Sequence, residues 1–213
     1  MHSCCAFEDA ADRQFTVDKA TDELGSYRSG RLGPTTRRLR DEIVRTGLNQ
    51  GTLLDIGAGV GALTFELLDR GMTGAVVAEA SAAYAAAVAD EARRRGKDAR
   101  TQVVHGDFLD VSGTLAPANL VTLDRVVCCY PYYAPLLEQA LRLSGSGLAL
   151  SYPHDRWYVH ALMWLDNMRR ARKSGFRTFV HPATRIRDTI EQAGLTLIGR
   201  RTTLMWSIDV YSR

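Results

Sequence analysis

The stretch Leu54-Asp55-Ile56-Gly57-Ala58-Gly59-Val60-Gly61 decides how this chain is read. The apolar run Leu53–Ile56 reads as a short buried strand, and three glycines follow it at alternate positions. A residue without a Cβ lets the backbone approach a ligand closely. It also lets the next helix start with its N–H groups facing that ligand. Gly61–Leu68 is the expected helix. By itself such a turn is compatible with any nucleotide, or with structure alone.

The pattern repeats outward from the glycines. Ala75–Ala78 reads as a second strand, Ser81–Arg95 as an Ala-rich helix closed by Gly96, and Thr101–Val104 as a third strand. Leu120–Leu123 and Leu148–Ser151 read as the fourth and fifth strands, with a helix over Pro135–Leu143 between them. Helices over about 156–171 and 183–193 follow, then strands over Leu195–Arg200 and Thr203–Tyr211. Alternating strands and helices predict an α/β chain with a mostly parallel, doubly wound sheet, and the last two strands predict an antiparallel hairpin on it. Upstream, Gly33-Pro34-Thr35-Thr36 reads as a capped turn into a helix carrying Leu39, Ile43, Val44 and Leu48, with Gly47 as its stop. Residues 1–30 read as polar and irregular, with a short amphipathic stretch near Phe15–Leu24.

Composition bounds the rest. A chain of 213 residues, 46% apolar and 24% charged, suits one α/β domain and excludes wholesale disorder. Each apolar run is too short or too interrupted to span a bilayer, and residues 1–20 do not read as a secretory leader. A cytoplasmic location with reduced thiols is therefore expected. Of the 27 basic residues only Lys19, Lys97 and Lys173 are lysine. Residues 1–50 are neutral, 51–150 carry −3 and 151–213 carry +6. The total of +3 says little, whereas a basic tail bears on what the protein can meet.

Three acids close three successive strands. Asp55 stands just before the glycines, where a carboxylate can hold a cation. Glu79 follows Gly57 by 22 residues and can accept both hydroxyls of a ribose. Asp107, in Gly106-Asp107-Phe108, can accept from an exocyclic amine while Phe108 packs on a flat ring. Singly they read as a turn cap or a solvated strand end. Together they mark the carboxyl edge, where ligands of such sheets bind.

With these residues the sequence resembles the Rossmann-like, class I S-adenosylmethionine-dependent methyltransferases over about residues 35–213. Asp55–Gly61 is similar to that family's first motif, Glu79 to its ribose-binding acid and Asp107-Phe108 to its adenine-binding pair. The resemblance implies seven strands in the order 3-2-1-4-5-7-6 with the last antiparallel. It also implies S-adenosylmethionine as cofactor and S-adenosylhomocysteine as product. Asp55, Gly57, Ala58, Gly59, Glu79, Ala80, Asp107, Phe108 and Asp124 are the expected donor-binding residues. Tyr27 and Arg28 are expected to join them from a lid over residues 1–35, with the methyltransferase domain spanning 36–213. More narrowly, Leu123-Asp124, Leu150-Ser151-Tyr152-Pro153 and Gly194–Tyr211 resemble the magnesium-protoporphyrin O-methyltransferase branch and its small-molecule relatives. Cys128-Cys129-Tyr130-Pro131 departs from that branch. An NAD(P)-dependent oxidoreductase is the competing reading, but its glycines run G-x-G-x-x-G, whereas here they run G-x-G-x-G. A silent, donor-sensing module is a third.

A sulfonium carries its own leaving group, so a base is needed only for a protonated acceptor. The candidates are His154, whose imidazole can titrate near neutrality, Asp124 and Tyr132. Tyr130, Tyr133 and Trp157 lie in the same segments. Asp124 has the other readings of holding the donor's amino group or pairing with Arg125. His160 and His181 read as structural. The vicinal pairs Cys4-Cys5 and Cys128-Cys129 lack the spacing of zinc sites, so no metal is expected. The run Arg169, Arg170, Arg172, Lys173 and Arg177 suits a helix C-terminus, or an acidic acceptor. Cys129-Tyr130-Pro131-Tyr132 lacks the amide or carboxylate with which flipped-base methyltransferases polarise an exocyclic amine. A small anionic acceptor, methylated on a carboxylate or hydroxyl oxygen, is thus expected over nucleic acid.

Overall fold

Asp55 is the penultimate residue of a strand buried on both faces, and the sheet grows from it. In a computed structural model, which describes residues 4–213, β1 (Gly51–Ile56) pairs in parallel with β2 (Met72–Glu79) on one side and β4 (Ala118–Asp124) on the other. β3 (Thr101–His105) extends the first side, and β5 (Ser144–Pro153) extends the second, both in parallel. β7 (Trp206–Ser212) runs antiparallel between β5 and β6 (Thr196–Thr202). The order β3-β2-β1-β4-β5-β7-β6 is the one the resemblance implied. The strands run longer than their apolar cores, because ladder hydrogen bonds continue into polar ends such as Ser144–Gly147.

Helices cover both faces, as strands read as near-continuous apolar runs require. Leu53 faces a core made with Leu39 and Ile43 of α3 (Pro34–Arg45), Phe65 of α4 (Ala62–Leu68), and Tyr84 and Val88 of α5 (Ala82–Arg94). Its neighbours Leu54 and Ile56 face the other core, with Leu136 and Leu137 of α7 (Tyr133–Leu143) and Ile186 and Ile190 of α9 (Ala183–Gln192). Alternate residues of β1 thus serve opposite layers. Val44 of α3, expected on the apolar face, stands exposed, because Leu39 and Ile43 already fill the buried stripe. A one-turn helix, α6 (Phe108–Val111), follows β3, and α8 (Trp157–Ala171) follows β5.

The N-terminal segment departs from the expectation of irregular chain. It forms α1 (Cys4–Gln14) and α2 (Val17–Arg28). Thr16 caps α2 by accepting the Lys19 N–H, and Ala20, Leu24 and Tyr27 are buried in the first core. The stripe at i, i+4 and i+7 is helical, but its two polar turns hide it from a composition-led reading.

Candidate functional site

The strand order reverses at β1, with β2 and β3 to one side and β4 and β5 to the other, and this opens a crevice between β1 and β4 at their carboxyl ends. A cavity of about 780 Å³ lies there, within the ~300–1,000 Å³ of small-molecule sites. Its floor is the glycine turn. Gly57, Gly59 and Gly61 have φ of 62°, 59° and 75°, a region that L side chains rarely adopt. A Cβ on Gly57 would come within 2.7 Å of Val126 Cγ2, so the cradle excludes any side chain there.

Three acids stand around this floor. Asp55 is 1% exposed and is held by the Thr64 hydroxyl at 2.6 Å and the Thr122 hydroxyl at 2.7 Å. Burial pushes its carboxyl up to about 6 against these hydrogen bonds. Glu79 accepts the Gly59 N–H at 2.9 Å and the Ser81 N–H at 3.0 Å, and burial pushes it up to about 7. Asp124 accepts hydroxyls from Thr36 and Ser151, both at 2.5 Å. Asp55, Glu79 and Asp124 all line the cavity, with Gly57, Ala58, Gly59, Ala80, Phe108 and the Tyr27 ring.

Asp107 does not reach that wall. Its Oδ1 accepts the Tyr130 hydroxyl at 2.6 Å and caps α6 through the Leu109 N–H, while Gly106, Phe108 and Tyr130 face the space. Burial raises the Asp107 carboxyl. The Asp107 N–H donates to Glu8 at 2.7 Å, and Phe7 stacks on Tyr130 at 4.6 Å, so α1 closes this end.

Three further expected residues are not brought to the cavity. Arg28 turns from it to bond Glu91 on α5 at 2.8 and 3.0 Å. The His154 ring lies against the β6–β7 hairpin, with Nε2 3.0 Å from the Thr203 carbonyl and Nδ1 3.0 Å from the Ser207 hydroxyl. Tyr132 is 63% exposed and off the wall. Of the three base candidates, Asp124 alone lines the cavity. His181, read as structural, is buried with Nε2 2.8 Å from the Tyr130 carbonyl. Of the basic run in the tail, only Arg170 lines the cavity, paired with Asp166 at 2.6 Å. The Cys128 and Cys129 thiols both donate to the Arg125 carbonyl, at 3.3 and 3.4 Å. The side chains of Cys4 and Cys5 lie outside the described ones. Among the described residues no group of three or more His, Cys, Asp or Glu could hold a metal ion.

Sequence reading missed Arg31, Thr36 and Arg125. Arg125 is the one non-glycine among the described residues with a positive φ, 64°, and its side chain enters the cavity wall beside Asp124. Its N–H is fixed by the Ser151 hydroxyl at 2.9 Å. An arginine after a strand carries no local signal of that conformation.

The family model for conserved hypothetical protein 95 matches residues 22–150. No curated protein matches the chain in sequence. Among solved structures, it is similar to magnesium protoporphyrin IX methyltransferase from Synechocystis PCC 6803 with bound S-adenosylhomocysteine. That match has a TM-score of 0.68 and 18% identity over 84% of this chain and 82% of the other. An O-methyltransferase family protein from Burkholderia thailandensis matches with a TM-score of 0.68 and 15% identity, over 84% of this chain and 56% of the other. A Pyrococcus horikoshii protein provisionally termed an RNA methyltransferase matches with a TM-score of 0.58 and 15% identity, over 84% and 83%. At these identities the likeness shows the fold.

Proposed function

The chain belongs to the conserved hypothetical protein 95 family, a methyltransferase-like family with the Rossmann-like fold of S-adenosylmethionine-dependent enzymes, and we propose that it transfers a methyl group from S-adenosylmethionine to a small anionic acceptor at a carboxylate or hydroxyl oxygen. The carrying observation is the set of Asp55, Glu79 and Asp124 at the ends of β1, β2 and β4, around a glycine turn where a Cβ on Gly57 would collide with Val126. The residues fit the donor. Bound there, it supplies a methyl group on a sulfonium, which needs no metal.

Glu79 is the ribose acceptor, since each of its oxygens is already aimed by a backbone N–H. Phe108 offers a ring face to a flat base. Asp124 carries a negative charge toward the donor's amino group, and Thr36 and Ser151 fix its orientation. For an acceptor that arrives protonated, Asp124 is also a carboxylate on the cavity wall that can take the proton. Arg125 faces an acidic group of the acceptor. The segment 1–35 acts as a lid: α1, α2 and the link between them bring Phe7, Tyr27 and Phe15 onto the cavity and exclude water from it. That enclosure, together with Cys129-Tyr130-Pro131-Tyr132, supports a small molecule rather than a nucleic acid.

Calorimetry with S-adenosylmethionine, S-adenosylhomocysteine and NADP tests the donor. The first two are expected to bind and the third is not. Binding of the nicotinamide cofactor alone would replace this reading with an oxidoreductase. A radiolabelled donor with a metabolite extract then reads acceptor size and class.

A further inference from the structure

Helix α8 sets only Val159 and Met163 into the interior. On its other side Trp157, Trp164, Leu165 and Met168 are 82, 63, 39 and 44% exposed. With 3.6 residues per turn these four and Ala161 fall within an arc of about 100°. The apolar face continues onto the turn between β6 and β7, where the Tyr158 hydroxyl donates to the Leu204 carbonyl at 2.8 Å and Leu204 is 78% exposed. Water-facing surfaces seldom carry so contiguous an apolar patch unless something covers it.

The surrounding charge indicates what covers it. Arg156, Arg169, Arg172, Lys173 and Arg177 are all exposed along the same segment. Its acids are engaged locally, Asp155 with His160 at 2.8 Å and Asp166 with Arg170 at 2.6 Å. A second copy set face to face would bring these cations against their own kind. A nucleic acid would answer the cations but leave Leu165, Met168 and Leu204 in water. An anionic bilayer surface answers both. Tryptophan and aliphatic side chains enter the boundary between headgroups and acyl chains, and the cations lie at the level of the phosphates. The helix is 15 residues long, and among the described residues no helix is long and apolar enough to cross a membrane, so contact is in the plane of the surface.

We propose that the outer face of α8, with Leu204, is a peripheral docking surface for an anionic lipid bilayer. Leu162, Met163, Asp166 and Arg170 of the same helix line the cavity, so docking sets its mouth beside the headgroups. The surface stands on its own residues, whatever the cavity catalyses.

The test is flotation of the full chain with vesicles of phosphatidylcholine alone and of phosphatidylcholine with phosphatidylserine, at low and raised salt. Binding to the anionic vesicles alone is expected, weakened by salt and accompanied by a blue shift of tryptophan emission. Trp164→Ala with Met168→Ala should lower partitioning about 10-fold or more. Arg169→Gln with Arg172→Gln should lower it about 25-fold, roughly fivefold per cation. All four side chains are solvent-exposed, and thermal melting of each variant confirms that it folds. No binding to the anionic vesicles overturns the proposal. Binding indifferent to the Trp164/Met168 pair also overturns it, since that is adsorption by charge alone. A dimer by light scattering that Trp164→Ala abolishes assigns the face to a second copy instead.

Discussion

Two sets of buried carboxylates in this molecule have opposite surroundings. Glu42, Glu91 and Asp209 lie away from the cavity and are each engaged by arginines. Glu91 receives Arg28, Arg94 and Arg95; burial pushes its carboxyl up, but these hydrogen bonds outweigh it and bring it down to about 2. Glu42 is held low by Arg45 and Arg201. Asp209 accepts Arg200 at 2.7 Å and the Tyr152 hydroxyl at 2.7 Å. Asp55 and Glu79, by contrast, are buried on the cavity floor, and among the described residues no arginine or lysine pairs with them. Hydroxyls and backbone N–H groups hold them in place without neutralising them. Arginine-ringed acids stiffen the scaffold, whereas acids aimed by neutral donors keep capacity for a ligand's hydroxyls and charge.

The contrast breaks most sharply at Asp209. Asp209→Ala leaves Arg200 and two tyrosine hydroxyls without their acceptor in the middle of the β5–β7–β6 sheet. Removal of one partner from such a buried network costs about 3–5 kcal/mol. Urea unfolding should show that loss, and binding of S-adenosylmethionine to the folded fraction should be unchanged. A variant that keeps its midpoint would deny Asp209 its scaffold role.

Glu79→Ala should do the reverse. Two hydrogen bonds to a charged acceptor are worth about 1.5–3 kcal/mol each, so donor affinity should fall about 100-fold or more by calorimetry. The unfolding midpoint should move far less than in Asp209→Ala, because no cation is stranded. Equal affinity in the two proteins would remove the ribose assignment.

The two sets also pull against one another with pH. Asp55 at about 6 and Glu79 at about 7 sit above their ordinary values of 3.8 and 4.5, so the folded chain holds more protons than the unfolded chain between about pH 4 and 7. Their contribution to stability is present below that window and is lost as pH rises through it. The loss is roughly 3 kcal/mol for each group, since a tenfold change in proton affinity is worth ~1.4 kcal/mol. Glu42 and Glu91 act oppositely: their contribution is lost as pH falls below about 4.5, for Glu91 down to about 2. Ligand-free protein should therefore be most stable near pH 4, and Glu79→Ala should flatten the decline toward pH 8. A urea midpoint that rises from about pH 5 to 8 would show that the floor acids are paired after all.

What is legible in the sequence follows the same division. The glycine turn and the acids at strand ends are local signals, set by backbone geometry and by alternation along a strand, and Asp55, Glu79 and Asp124 all stand in the cavity. The strand order needs more than local pattern, and comes from the resemblance to a known fold. His154 is a base candidate by its position after β5 and its titration range, but both ring nitrogens face the hairpin, a contact between residues 49 and 53 positions apart. Arg28 joins Tyr27 by adjacency, yet neighbours on a helix point about 100° apart, and only Tyr27 faces the cavity. Glu91, which captures Arg28, lies 63 residues away.

Arg125 sharpens the comparison most finely, because it combines strain with charge. Its φ of 64° costs a branched or long side chain of order 1 kcal/mol, which glycine would not incur. A scaffold residue would give up such strain at no loss. Arg125→Gly should hold the unfolding midpoint within about 1 kcal/mol of the parent, because relief of strain offsets the greater freedom of the unfolded chain. If Arg125 meets an anionic acceptor, the KM for that acceptor should rise about 10-fold, the worth of a half-exposed charged hydrogen bond, with donor affinity unchanged. Arg125→Lys, which keeps the charge but not the planar fork, should recover part of that loss. A KM that is the same in all three proteins would leave the left-handed turn serving only to orient Asp124, and the acceptor's charge would have to be met by Arg31 or Arg170 instead.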